Sequence, residues 1–150
     1  MKRLLLLVLL VACESSPPAT ETVITGGCVR SFRAVLEAWE AEFGRVPEEC
    51  AYLDADYDLQ LVGSDELPCP PAGPGGKLVG CTQGKVIYLL RGRDDLDLID
   101  TSAHEWIHAL SDCVDGALDA DHLRSQLWID YGADSIEAQA LASVEIGKCL

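Results

Sequence analysis

The stretch Asp100-Thr101-Ser102-Ala103-His104-Glu105-Trp106-Ile107-His108-Ala109-Leu110 decides how this chain is read. No proline or glycine interrupts it. Acids at Asp94, Asp95 and Asp97 precede it, where they suit the positive end of a helix. The pattern predicts a helix from Asp94 to Cys113, ended by Gly116. On a helix, residues four apart lie one above the other on the same face. His104 and His108 can therefore aim two imidazoles at one metal ion, and zinc accepts such nitrogens at about 2.0–2.1 Å. Glu105 is turned roughly a third of the way round the helix. From there its carboxylate can reach a water at the ion and take its proton. One turn and a quarter of helix thus supplies two ligands and a base.

Outward from this helix the chain alternates between short elements. Val29, Phe32, Leu36, Trp39 and Phe43 recur at three or four residues, which predicts an amphipathic helix closed by Gly44 and Pro47. Cys50 to Val62 shows partial alternation through Tyr52, Tyr57, Leu59 and Leu61, which predicts one or two short strands. Residues 63–76 are rich in Pro and Gly and read as loop. Lys77–Cys81 and Lys85–Leu90 read as two strands of a hairpin turning at Gln83-Gly84. Beyond Gly116, Leu123–Trp128 reads as a helical turn and Asp134 to Ile146 as a last helix. The expectation is an α+β domain, with a small antiparallel sheet packed against about three helices and the His-Glu stretch on the central one.

At the other end, Lys2 and Arg3 precede an apolar run from Leu4 to Val11, far shorter than the roughly 20 residues of a membrane span. That is the layout of a secretory leader. The run ends in Leu10-Val11-Ala12-Cys13, which resembles the bacterial lipobox. The resemblance implies cleavage before Cys13, lipid on that cysteine, and anchoring at the outer membrane or cell surface. Residues 1–12 are then leader, 13–27 a lipidated tether containing Ser15-Ser16-Pro17-Pro18, and 28–150 the folded domain. Of seven cysteines, Cys13 is assigned to lipid. The remaining six, Cys28, Cys50, Cys69, Cys81, Cys113 and Cys149, suit up to three disulfides in an exported domain, with the pairing open. No C-x-x-C pair favours a thiolate metal site. Without Lys2 and Arg3, nine basic side chains stand against 25 acidic ones, a formal charge of −16. Such a surface repels nucleic acid and anionic lipid, so membrane contact falls to the lipid. The chain is expected to act as a monomer.

The His-Glu stretch resembles the zincin metallopeptidases beyond its H-E-x-x-H letters. Thr101 stands three residues before the first His, Ser102, Trp106, Ile107 and Ala109 are uncharged, and Leu110 is apolar two residues after the second His. The resemblance implies zinc on His104 and His108, Glu105 as general base, a peptide or protein as substrate, and a strand upstream that lines the cleft and pairs with substrate. Lys85–Leu90 is placed for that role. The metzincin type is excluded: Ser111 and Val114 stand where it has Gly and His, and no Met follows Met1.

The third ligand has two candidates. His122, in Asp119-Ala120-Asp121-His122 with Trp128 downstream, resembles the His-then-aromatic arrangement of SprT-like short zincins, with Asp119 or Asp121 available to orient an imidazole. Glu137, in Ser135-Ile136-Glu137-Ala138, resembles the E-x-x-A of gluzincins, and Glu145 is a more distant option. Tyr131, Tyr88 and Arg124 are candidates to donate to an oxyanion. The reading expected first is zinc-dependent peptide hydrolysis at the cell envelope, with zinc on His104, His108 and His122. The alternative is a catalytically inactive, disulfide-stapled lipoprotein that serves as a binding or structural module.

Overall fold

A computed structural model describes residues 27–70, 76–118, 122, 135–143 and 149. The leader, Cys13 and most of the tether lie outside these residues, as do Asp119, Asp121, Arg124, Trp128, Tyr131 and Glu145. The described part is α+β. Helix α1 (Gly27–Phe43) is followed by a 3-10 helix (Glu48–Ala55), strand β1 (Asp58–Val62), strand β2 (Gly80–Gln83), strand β3 (Val86–Leu90) and helix α2 (Asp95–Asp115). Helix α3 (Ile136–Ser143) closes the described chain, inside the longer helix expected there.

Two expectations need correction. The first half of Cys50 to Val62 is not strand. Pro47 leads into a 3-10 helix whose buried residues, Cys50 and Leu53, are three apart, the period of such a helix. Only Asp58–Val62 extends. The sheet is also mixed rather than antiparallel. Its order is β1-β3-β2, with β1 parallel to β3 and β2 antiparallel to it. Alternation of side chains reports that a segment is a strand but not which way it runs. Here the long connection after Val62 carries the chain across to the far edge before the hairpin forms, as a parallel pair requires. The hairpin turns one residue later than expected: Gln83 pairs with Val86, and Gly84 takes φ 60, a left-handed conformation suited to glycine.

Helix α2 is the centre of the domain. Asp94 caps it, accepting from Asp97 N at 2.9 Å, and Gly116 ends it at φ 71. From Leu98 to Ser111 nearly every side chain is buried, with helices on one side and the sheet on the other. Trp106 stacks at a tilt against Phe32 of α1, ring centroids 4.9 Å apart, and meets Tyr57 at 5.7 Å. Small residues let α1 and α2 approach. The Cys28 carbonyl accepts from Ser31 Oγ at 2.7 Å, Ser102 Oγ at 2.9 Å and Trp106 Nε1 at 3.1 Å. This one buried acceptor satisfies three donors that would be costly to leave unpaired.

Six cysteines form three disulfides: Cys28–Cys149, Cys50–Cys113 and Cys69–Cys81. The first ties the end of the chain to the start of α1. The second ties the 3-10 helix to the last turn of α2. The third pins the segment after β1 to β2. Three disulfides belong to an oxidising, extracytoplasmic environment. No helix among the described residues is long and apolar enough to cross a membrane.

Candidate metal centre

Two of the three imidazoles are fixed by α2. His108 is buried, and its Nδ1 donates to the Leu118 carbonyl at 2.6 Å. A carbonyl can only accept, so the proton of neutral His108 sits on Nδ1 and its Nε2 presents a lone pair. His104, one turn earlier, has its Nδ1 3.1 Å from Glu137 Oε2 on α3. An ionised carboxylate also only accepts, which again puts the proton on Nδ1 and the lone pair on Nε2. The chain leaves α2 at Gly116 and brings back His122, whose Nε2 lies 3.1 Å from His104 Nε2 and 3.2 Å from His108 Nε2.

Three Nε2 atoms thus converge. A histidine pair can share one proton, but two rings already committed as acceptors at Nε2 leave a third nitrogen at most one useful proton to offer. A cation satisfies all three at once. Nitrogens about 2.0–2.1 Å from a tetrahedral ion stand roughly 3.3 Å from one another. The observed separations fall just inside that value, so His104, His108 and His122 could hold a metal ion. The donor set suits zinc, copper, iron or nickel rather than magnesium or calcium. His122 achieves its position with φ 51, a left-handed conformation that costs on the order of 1 kcal/mol or more in a non-glycine residue. Backbone in such a state needs its surroundings to hold it there.

The electrostatics favour positive charge at this point. Burial pulls the His104 pKa down, but the Glu137 bond and the carboxylates of Glu137, Glu105 and Asp100 outweigh it and leave it raised. Asp100, one turn before His104, is itself raised, by burial and then by repulsion from Glu137, to which it also hydrogen-bonds. Glu105 is raised by burial, against the pull of His104 and of Thr82.

Glu105 faces β2. It is 5% exposed, and its Oε2 accepts from Thr82 Oγ1 at 2.9 Å. Thr82 Oγ1 also lies 3.2 Å from the Glu105 carbonyl. Gly80 makes this approach possible, since a Cβ there would stand 2.5 Å from Thr101 Cγ2 and 3.1 Å from Glu105 Oε1. Neither residue stands out by type in the sequence. A glycine opening a strand does hint at close backbone approach, whereas nothing local marks Thr82 as the partner of a residue 23 positions away.

The two candidates for a third ligand do not compete for one position. His122 joins the Nε2 cluster, while Glu137 stands on the opposite edge of the His104 ring. The strand expected to pair with substrate is displaced. Lys85–Leu90 is the middle strand, hydrogen-bonded on both edges, and so has no free edge to offer; β2 is the edge strand beside α2. Tyr88 lies on that middle strand, paired with Cys81 and Gln60. Comparison of the chain with models of protein families, with curated proteins and with solved structures yields no match.

Proposed function

We propose that this protein is a zinc-dependent peptidase of the cell envelope, anchored through lipid on Cys13, with the zinc on His104, His108 and His122. The observation that carries the reading is the convergence of three imidazole Nε2 atoms, two of them from the helix turn that carries Glu105 and the third from His122. A zinc ion on three imidazoles keeps a fourth position open and acts there as a Lewis acid that acidifies water. The chain's own residues do the rest. Leu118 and Glu137 hold the two helix imidazoles in the tautomer that turns their lone pairs to a common point. Thr82 holds one oxygen of Glu105 and leaves the other lone pairs of the carboxylate free to take a proton from an attacking water. Burial keeps the carboxylate from rotating away. The leader and lipobox resemblance, together with three disulfides, support the envelope location.

A second reading has its own support. Glu105 is almost wholly buried against β2, a posture that also suits a structural carboxylate clamping strand to helix. In that case the domain is an inactive, disulfide-stapled module that keeps a metal for stability or binding. Glu105→Gln separates the two. As a peptidase, the variant binds one zinc per chain like the parent and loses hydrolysis of a mixed peptide library by a factor of about a hundred or more. A parent protein that cleaves nothing in the library, or a variant that cleaves as fast as the parent, rules out Glu105 as the base.

A further inference from the structure

Helix α3 is described over Ile136–Ser143. It docks on both α1 and α2, with Leu141 packed against the core beside its buried residues. Ile136 and Ala140 are its buried residues, and Ser135 Oγ accepts from Ala138 N at 3.0 Å at its start. Glu137 reaches across to α2, where its carboxylate meets His104 Nδ1, 33 positions away and about a quarter exposed at both partners, and also hydrogen-bonds Asp100. The chain beyond is tied down independently, by the Cys28–Cys149 disulfide and by Cys149 N donating to Asp95 Oδ1 at 3.1 Å.

We infer that Glu137 is a positioning residue of the metal centre, and that metal loading and the docking of α3 are coupled through its bond to His104. The inference rests on the three-imidazole reading of the site. With α3 docked, the carboxylate fixes the His104 ring and keeps its proton on Nδ1, so Nε2 faces the common point as a lone pair. With α3 undocked, the ring is free to turn and to carry its proton on Nε2, where it blocks a ligand position. The converse follows from reciprocity: whatever docking adds to metal affinity, the metal adds to docking. A cation on Nε2 also makes the Nδ1 proton a stronger donor, which tightens the grip on Glu137. Because the terminus stays tethered by Cys149, the motion is a local release of 136–143 rather than loss of the whole end of the chain.

The test uses the full, disulfide-intact chain, Zn2+ alone as the probe, and two variants. Glu137→Leu keeps bulk and helix propensity but cannot accept a hydrogen bond. Glu137→Gln keeps an acceptor oxygen without the charge. Zinc affinity is measured by chelator competition, and hydrogen exchange of the 136–143 amides is followed with and without zinc. Zinc slows exchange of these amides in the parent by about tenfold, within the usual range of such couplings. Glu137→Leu weakens zinc binding by roughly 10–100-fold and abolishes the zinc-dependent protection, and Glu137→Gln falls between. A Leu variant that binds zinc like the parent, with the same protection of α3, overturns the inference and leaves the metal site standing. A parent that takes up no zinc overturns the metal reading and the inference with it. In the Co2+-loaded proteins, parent and Leu variant share the same visible absorption bands; a changed ligand field in the variant makes Glu137 a ligand and overturns its positioning role.

Discussion

The two halves that meet at the candidate metal centre are built differently. One half is α2: 21 residues, capped at both ends, buried along most of its length and pressed between α1 and the sheet. It carries His104, Glu105 and His108 in fixed register. The other half is the return of the chain after Gly116. It supplies His122 from a left-handed backbone position and Glu137 from an eight-residue helix with two buried side chains. The contrast teaches that the site is preformed on one side only. The α2 half owes its geometry to the hydrophobic core and would stand without a metal. Of the other half, the described helix α3 docks on α1 and α2 through Ile136, Ala140 and Leu141, while Glu137 meets the site through polar contacts.

Removing disulfides one at a time exposes this difference most strongly. Replacing Cys28 and Cys149 by Ser, or Cys50 and Cys113 by Ala, costs about 2–5 kcal/mol of stability in either case by denaturant unfolding. Only the first also weakens zinc binding, by about tenfold, because only it releases the half that carries Glu137. Equal zinc affinities in the two variants would erase the distinction between the halves.

A smaller effect is expected from Gly80→Ala, which attacks the preformed side. The added Cβ has no room against Thr101 and Glu105. Overpacking of this kind costs about 1–3 kcal/mol. On the peptidase reading, it pushes on Glu105 rather than on the imidazoles, so hydrolysis falls further than zinc content does. Unchanged melting and unchanged turnover would show that β2 and α2 are not in fact closely packed at Gly80.

The smallest effect is at Asp100. Burial and then Glu137 raise its pKa above the ordinary 3.8. The folded state thus binds this proton more tightly than the unfolded chain does. The stability it contributes is complete below the ordinary value and is lost as pH rises through the raised one. At neutral pH the ionised group is therefore a mild burden on the metal-free protein. Asp100→Asn can donate to Glu137 as the protonated acid does, and should raise the metal-free melting temperature at about pH 8 while matching the parent at about pH 3. The gain stays below about 1 kcal/mol, since solvent screens this half-exposed group. A destabilised variant at the higher pH would mean that the Asp100 charge is favourable where it stands.

What was legible in the sequence divides along the same line. Helix α2, its acidic start and its Gly116 end could be read because caps and apolar spacing act over a few residues. The α1 core face was legible for the same reason, through Phe32, Leu36 and Trp39, though Phe43 at its end is exposed. The six cysteines of the 28–150 domain announced disulfides, but their pairing depends on contacts across 121, 63 and 12 positions that no local pattern encodes. The direction of β1 against β3 was hidden because a two-residue period reads alike both ways. The 3-10 helix at Cys50 and Leu53 was hidden because a short run of mixed residues satisfies partial alternation as readily as a three-residue period. At the site, His122 and Glu137 were both legible as candidates. Their different places on the His104 ring were not, since that depends on how the chain returns after α2.

The most direct test of the central claim is the zinc K-edge X-ray absorption spectrum of the purified, disulfide-intact protein. It should show one zinc per chain with a shell of light atoms at about 2.0–2.1 Å, three of them imidazole nitrogens, reduced to two in His122→Ala. Absence of stoichiometric zinc, a sulfur in the shell, or an unchanged imidazole count in His122→Ala would contradict it.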